Sequence, residues 1–150
     1  MKAGANLDAM AHKILIVDDE ENVLLIIKQA FIGHCEVLTA TDGETGLEII
    51  KKEKPSMVFL DISMPGMSGI KVLEIIKGLG LPTVVWMLTG NEDLETAAIT
   101  LKGGASGYLT KPFDIARMRA VVLNTLLDLE KTKKESKAED KPWHVKKDQK

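Results

Sequence analysis

The groups able to do chemistry in this chain are three carboxylates, a hydroxyl and an amine, each placed directly after an apolar run. Asp61 follows Met57-Val58-Phe59-Leu60 and opens a turn, Ile62-Ser63-Met64-Pro65-Gly66. Asp18 and Asp19 follow Ile14-Leu15-Ile16-Val17 in the same way. A further run ending at Leu88 delivers Thr89 and Gly90, and Gly107-Tyr108-Leu109-Thr110 delivers Lys111-Pro112. A carboxylate after a buried-type run and before a Pro-Gly turn marks the C-terminal tip of a central strand. In an open parallel sheet that edge is where ligands bind. Parallel strands would therefore bring all these groups to one place. Carboxylates so close raise each other's pKa, and a hard divalent cation resolves the conflict. Mg²⁺ accepts one or two carboxylates together with waters and a substrate phosphate. Lys111 adds a point charge suited to phosphate, Thr89 a donor hydroxyl, and Gly90 an approachable backbone N–H. The set suits a phosphoryl group, and a carboxylate beside it can act as nucleophile and become an aspartyl phosphate.

The elements that must position these groups alternate along the chain. Strand patterns occupy residues 14–17, 36–40, 57–60, 83–88 and 106–110. Between them lie helical patterns. Residues 20–32 carry Val23, Ile26, Ile27, Ala30 and Phe31 at helical spacing, and Gly33 stops them. Thr41-Asp42-Gly43-Glu44 reads as a capping box ahead of Leu47 and Ile50, with Lys54-Pro55 at the end. Ser68 caps a helix with Ile70, Leu73 and Ile76 inward. Asn91 caps one with Leu94, Ala97, Ala98 and Leu101 inward, and Asp114 caps a long one with Ile115, Met118, Val122, Leu126 and Leu129 inward. The strands are apolar throughout rather than alternating, which predicts a parallel sheet buried on both faces.

At 150 residues the chain suits one domain with a real core. The expected division is a flexible leader at 1–12, a body at 13–130, and a charged tail at 131–150 that is partly helical or disordered. Residues 1–129 hold 12 basic and 17 acidic side chains, against 8 and 5 in residues 130–150. An acidic body argues against a surface for nucleic-acid phosphates. Cys35 is the only cysteine; it reads as a small core filler, and with no disulfide available the compartment is a reducing one, the cytoplasm. No apolar run approaches the ~20 residues that span a bilayer, and no signal-peptide pattern opens the chain. His12, His34 and His144 read as surface residues, Met64 and Met67 as packing or rim residues, Trp86 as core, and Trp143 as part of a solvated tail.

Residues 14–20 (Ile-Leu-Ile-Val-Asp-Asp-Glu), residues 61–69 (Asp-Ile-Ser-Met-Pro-Gly-Met-Ser-Gly), Thr89-Gly90 and Lys111-Pro112-Phe113 resemble the receiver domain of two-component response regulators. The resemblance covers residues 13–130. It implies an α/β fold: a doubly wound, five-stranded, flavodoxin-like parallel sheet of order 2-1-3-4-5. It implies that Asp61 is phosphorylated by a sensor histidine kinase or a phosphotransfer protein, with Mg²⁺ held by Asp18, Asp19, Asp61 and the backbone carbonyl of Ser63. Thr89 and Lys111 contact the phosphoryl oxygens. Thr89 and Tyr108 form the switch pair, and Ser63 and Asn91 tune the lifetime of the phosphate. Lys111-Pro112 is expected to be cis. The implied readers are a downstream protein effector or a homodimer that forms on phosphorylation, with no nucleic acid bound and no membrane inserted.

Two readings compete within this class, a stand-alone regulator and a phosphorelay intermediate, since the residues after 130 leave no room for an output domain. A different class, an aspartate-nucleophile phosphatase, would carry a second Asp two residues after the first, where this chain has Ser63. A structural pseudo-receiver would lack an acid, the threonine or the lysine, and all are present.

Overall fold

The computed structural model describes residues 12–90 and 94–139, with side chains in the second stretch described from 95 to 133. The leader as far as residue 11, Asn91, Trp143 and His144 lie outside the described residues. The strands are β1 (Lys13–Val17), β2 (Glu36–Ala40), β3 (Met57–Asp61), β4 (Val84–Thr89) and β5 (Gly107–Thr110). The helices are α1 (Glu21–Ala30), α2 (Gly43–Glu53), α3 (Gly69–Gly78), α4 (Leu94–Lys102) and α5 (Ile115–Glu139). All strand pairs are parallel, in the order β2-β1-β3-β4-β5. The chain crosses from β2 past β1 to reach β3, so the winding reverses between β1 and β3. A crevice opens above the strand ends at such a reversal.

Strand alternation divides the core into two layers. Ile14 and Ile16 of β1 and Met57 and Phe59 of β3 face α1 and α5, meeting Leu24, Ile27, Met118, Val122 and Leu126. Leu15, Val17, Val58 and Leu60 face the other way, against Leu47 and Ile50 of α2 and Val72, Leu73 and Ile76 of α3. Because both faces are covered, β1 and β3 read as unbroken apolar runs. Burying each such side chain contributes roughly 1.5–3 kcal/mol. Cys35 joins the first layer as a buried residue, and burial pushes its thiol up to about 11.

Local signals explain the helix ends. Asp42, one residue later than the Thr41 expected to cap α2, accepts the Thr45 N–H at 2.7 Å and its hydroxyl at 3.0 Å. The shorter carboxylate serves the helix start directly, and no Thr41–Glu44 box is needed. Ser68 caps α3 as expected, accepting the Lys71 N–H at 3.3 Å, and Asp114 accepts the Ala116 N–H at 2.9 Å at the start of α5.

Several inward faces differ from the periodicity reading. In α1, Leu24 is buried and Ile26 is 54% exposed; a run of five consecutive apolar or amphipathic positions, 23–27, leaves the helix phase undetermined by pattern alone. In α4, where the Leu94 side chain lies outside the described residues, Ala97 and Thr100 are buried while Ala98 and Leu101 are exposed. Thr100 tolerates burial because its hydroxyl donates to the Ala97 carbonyl at 2.7 Å. Ile70 is half-buried, and Val72 takes its expected place in the core. Trp86 is half-buried at the margin of the first layer, its ring lying over Gly107, where a Cβ would come within 2.7 Å of it. His12 is not a free surface group: its Nε2 meets Glu130 Oε2 at 2.7 Å and its Nδ1 meets Ser56 Oγ at 2.9 Å.

Candidate phosphoacceptor site

Asp61 is the last residue of β3, paired in register with Leu88, and Ile62 N–H donates to the Leu88 carbonyl at 2.9 Å. The loop after it folds back on its own carboxylate, whose Oδ1 accepts the Ser63 N–H at 3.1 Å. The turn closes only because residue 69 is glycine. A Cβ there would collide with the Asp61 backbone carbonyl, so Gly69 lets α3 start directly beneath the site. One strand over, Asp18 leaves β1 with its N–H on the Ala40 carbonyl at 3.0 Å, and its Oδ1 accepts the Glu20 N–H at 2.9 Å. Thr89 ends β4 as a buried residue opposite Thr110 of β5, and the Lys111 N–H donates to its carbonyl at 2.7 Å. The Lys111-Pro112 bond is cis, as expected.

Lys111 reaches back over the sheet edge. Its Nζ lies 2.7 Å from Asp18 Oδ2, 3.0 Å from Glu20 Oε1 and 3.2 Å from Asp61 Oδ2. Burial alone would lower its pKa, but the contacts with Asp18 and Glu20 and the charge of Asp61 outweigh that and hold it above the usual lysine range. Asp61 moves in the opposite chemical sense. Burial first, then the charge of Asp18, raises its carboxyl above the usual range, only partly offset by Lys111 and the Ser63 N–H.

Oxygens of Asp18, Asp19 and Asp61 all lie within 4.8 Å of one another. Asp18 Oδ2 is fully buried and faces the Lys111 ammonium at 2.7 Å. A buried carboxylate oxygen gathered with those of two other acids fits a hard divalent cation. Asp18, Asp19 and Asp61 are the residues that would hold it.

The chain matches the family model described as the response regulator receiver domain over residues 14–123. It is 38% identical over 125 residues to the regulatory protein AtoC of Escherichia coli, covering 83% of this chain and 27% of that relative. It is 33% identical to the sporulation initiation phosphotransferase F of Bacillus subtilis, covering 75% of this chain and 92% of that protein. A CheY-like receiver domain structure from Methanospirillum hungatei superposes with a TM-score of 0.76 at 31% identity, over 81% of this chain and 98% of that one. Among the first curated relatives this chain spans from 27% to 50% of their length. The chain belongs to the response regulator receiver domain family of two-component systems.

Of the residues singled out from sequence, Asp18, Asp19, Asp61 and Lys111 come together at the crevice. Thr89 stands at the adjoining strand end, and Ser63 is exposed in the Asp61 loop. Tyr108 is half-buried on the edge strand, packed against the second core layer. In the sequence Glu20 figures only as the last residue of the 14–20 motif and the first of the 20–32 helical pattern. Its contact with Lys111 was missed because the two are 91 positions apart in sequence. The available signal was a long carboxylate at a helix start, where a short side chain serves better.

Proposed function

We propose that this receiver accepts a phosphoryl group on Asp61 from the phosphohistidine of a sensor histidine kinase, and that the modification alters a surface read by a protein partner. The observation that carries the reading is the convergence of Asp18 and Asp61 within 3.2 Å of the Lys111 ammonium nitrogen. An Asp61 carboxylate oxygen forms the new O–P bond as the N–P bond breaks, and the electron pair returns to the imidazole nitrogen, which takes up a proton. Lys111 meets the charge on the phosphoryl oxygens, and the Thr89 hydroxyl donates to one of them. Mg²⁺, when bound, would neutralise charge shared by the carboxylates and the phosphoryl group. Ser63 and Asn91 set the lifetime of the acyl phosphate.

Movement of Thr89 toward the phosphate draws Tyr108 and biases the face made by α4, β5 and α5, where an effector or a second copy docks. The site of action is the cytoplasm; among the described residues no helix is long and apolar enough to cross a membrane. Incubation with acetyl phosphate and Mg²⁺ should load one acid-labile phosphate, and Asp61→Asn should abolish it. Undiminished loading of Asp61→Asn refutes the assignment. A second reading, a phosphorelay intermediate, is favoured by the likeness in extent to a relative named as a phosphotransferase. Rapid passage of the phosphoryl group from Asp61 to a histidine phosphotransfer protein would distinguish it.

A further inference from the structure

Glu20 stands immediately after the two acids of the β1–α1 loop, and its backbone is already committed. Its N–H donates to Asp18 Oδ1 at 2.9 Å, and its carbonyl accepts the N–H groups of Val23 at 3.0 Å and Leu24 at 3.3 Å. Its side chain makes no capping bond, unlike those of Asp42 and Ser68 at the starts of α2 and α3. Instead it crosses to Lys111 and places Oε1 3.0 Å from Nζ, although it is 61% exposed. Holding a long exposed side chain in one place costs rotamer entropy, so the ammonium must attract it specifically.

Lys111 thus has carboxylate partners of two kinds. Asp18 and Asp61 are buried and belong to the metal-competent cluster; Glu20 is exposed and does not. A lysine ammonium and a divalent cation compensate the same charge on Asp18 and Asp61, so each weakens the hold of the other. Glu20 offers the ammonium a partner that survives the exchange. We infer that Glu20 is a positioning residue: it holds the Lys111 ammonium when Asp18 and Asp61 turn to a metal, and so keeps it within reach of a phosphoryl group arriving at Asp61. This rests on reading Asp61 as that acceptor. The exposed pair makes the effect modest, on the scale of other partly solvated ion pairs.

The test is a Mg²⁺ titration of the full chain, followed by backbone amide shifts, in wild type, Glu20→Gln, Lys111→Met and the double variant. Glu21→Gln, an exposed acid one position on, reports the effect of losing any nearby charge. Glu20→Gln should weaken Mg²⁺ about twofold to fivefold when Lys111 is present. In the Lys111→Met background the same change should cost no more than Glu21→Gln does. In acetyl phosphate loading, Glu20→Gln should be slow at low Mg²⁺ and recover at saturating Mg²⁺. The backbone cap is untouched by the amide, and thermal melts check that each variant folds. Equal weakening by Glu20→Gln in both backgrounds overturns the proposal and leaves Glu20 one more surface charge. Metal coupling through Lys111 in a chain that never loads phosphate would instead refute the acceptor reading and keep the role of Glu20.

Discussion

Burial of the Asp61 carboxyl and the charge of Asp18 beside it raise its pKa, and the Lys111 ammonium does not fully cancel them. The folded chain therefore holds a proton on Asp61 more tightly than the unfolded chain does. Stability from this group is present below the unfolded carboxylate pKa and is lost as pH rises through the raised folded value. Above that value and without metal, the ionised Asp61 burdens the fold. Asp61→Asn, neutral at every pH, should melt a few degrees higher than wild type at pH 7 in a chelating buffer. The gap should close as pH falls through the raised pKa of Asp61. Thermal melts across that range check it; a variant that melts lower than wild type at pH 7 would show that Lys111 dominates instead. The strain is placed where a metal and a phosphoryl group can relieve it.

At the scale of elements, the strands were legible because β1 and β3 are buried on both faces and carry uninterrupted apolar runs. The helices were legible in position but not always in phase. In α5 the inward residues Met118, Val122 and Leu126 follow the expected spacing, and Leu126 is 1% exposed beside Leu127 at 43%. Leu126→Ala should cost about 2–5 kcal/mol in chemical denaturation, and Leu127→Ala less than ~1 kcal/mol. Equal costs would place the helix in a different phase. In α1 the expected Val23, Ile27, Ala30 and Phe31 do lie on the core side, but Leu24 takes the place given to Ile26; there and in α4, adjacent apolar residues fit more than one face. Burial of Thr100 depends on a hydrogen bond to its own helix, which hydrophobic periodicity does not register. The His12 contacts with Ser56 and Glu130 span 44 and 118 positions. Such pairings arise only once the sheet and α5 are assembled, so no local pattern announces them.

Across the whole molecule, the acids were readable as a cluster because each ends or follows a strand, and a parallel sheet sends all its strand ends to one edge. What that reasoning lacked was the arrangement of charges around Lys111, which depends on side-chain reach. The same topology links the site to a distant face, since β4 carries Thr89 and pairs with β5, which carries Tyr108. Beryllofluoride with Mg²⁺ should shift amide resonances from Asp61 through Thr89 and Tyr108 to Ile99, Lys102 and Arg117. Shifts confined to the metal site would leave a passive phosphate carrier. The central claim is that Asp61 is the residue that takes the phosphoryl group. Its most direct test is borohydride trapping of the chain after acetyl phosphate treatment in Mg²⁺, followed by peptide mass spectrometry. The account predicts reductive conversion at Asp61 and at no other acid, dependent on Mg²⁺; conversion at Asp18, Asp19 or Glu20 with Asp61 untouched would contradict it.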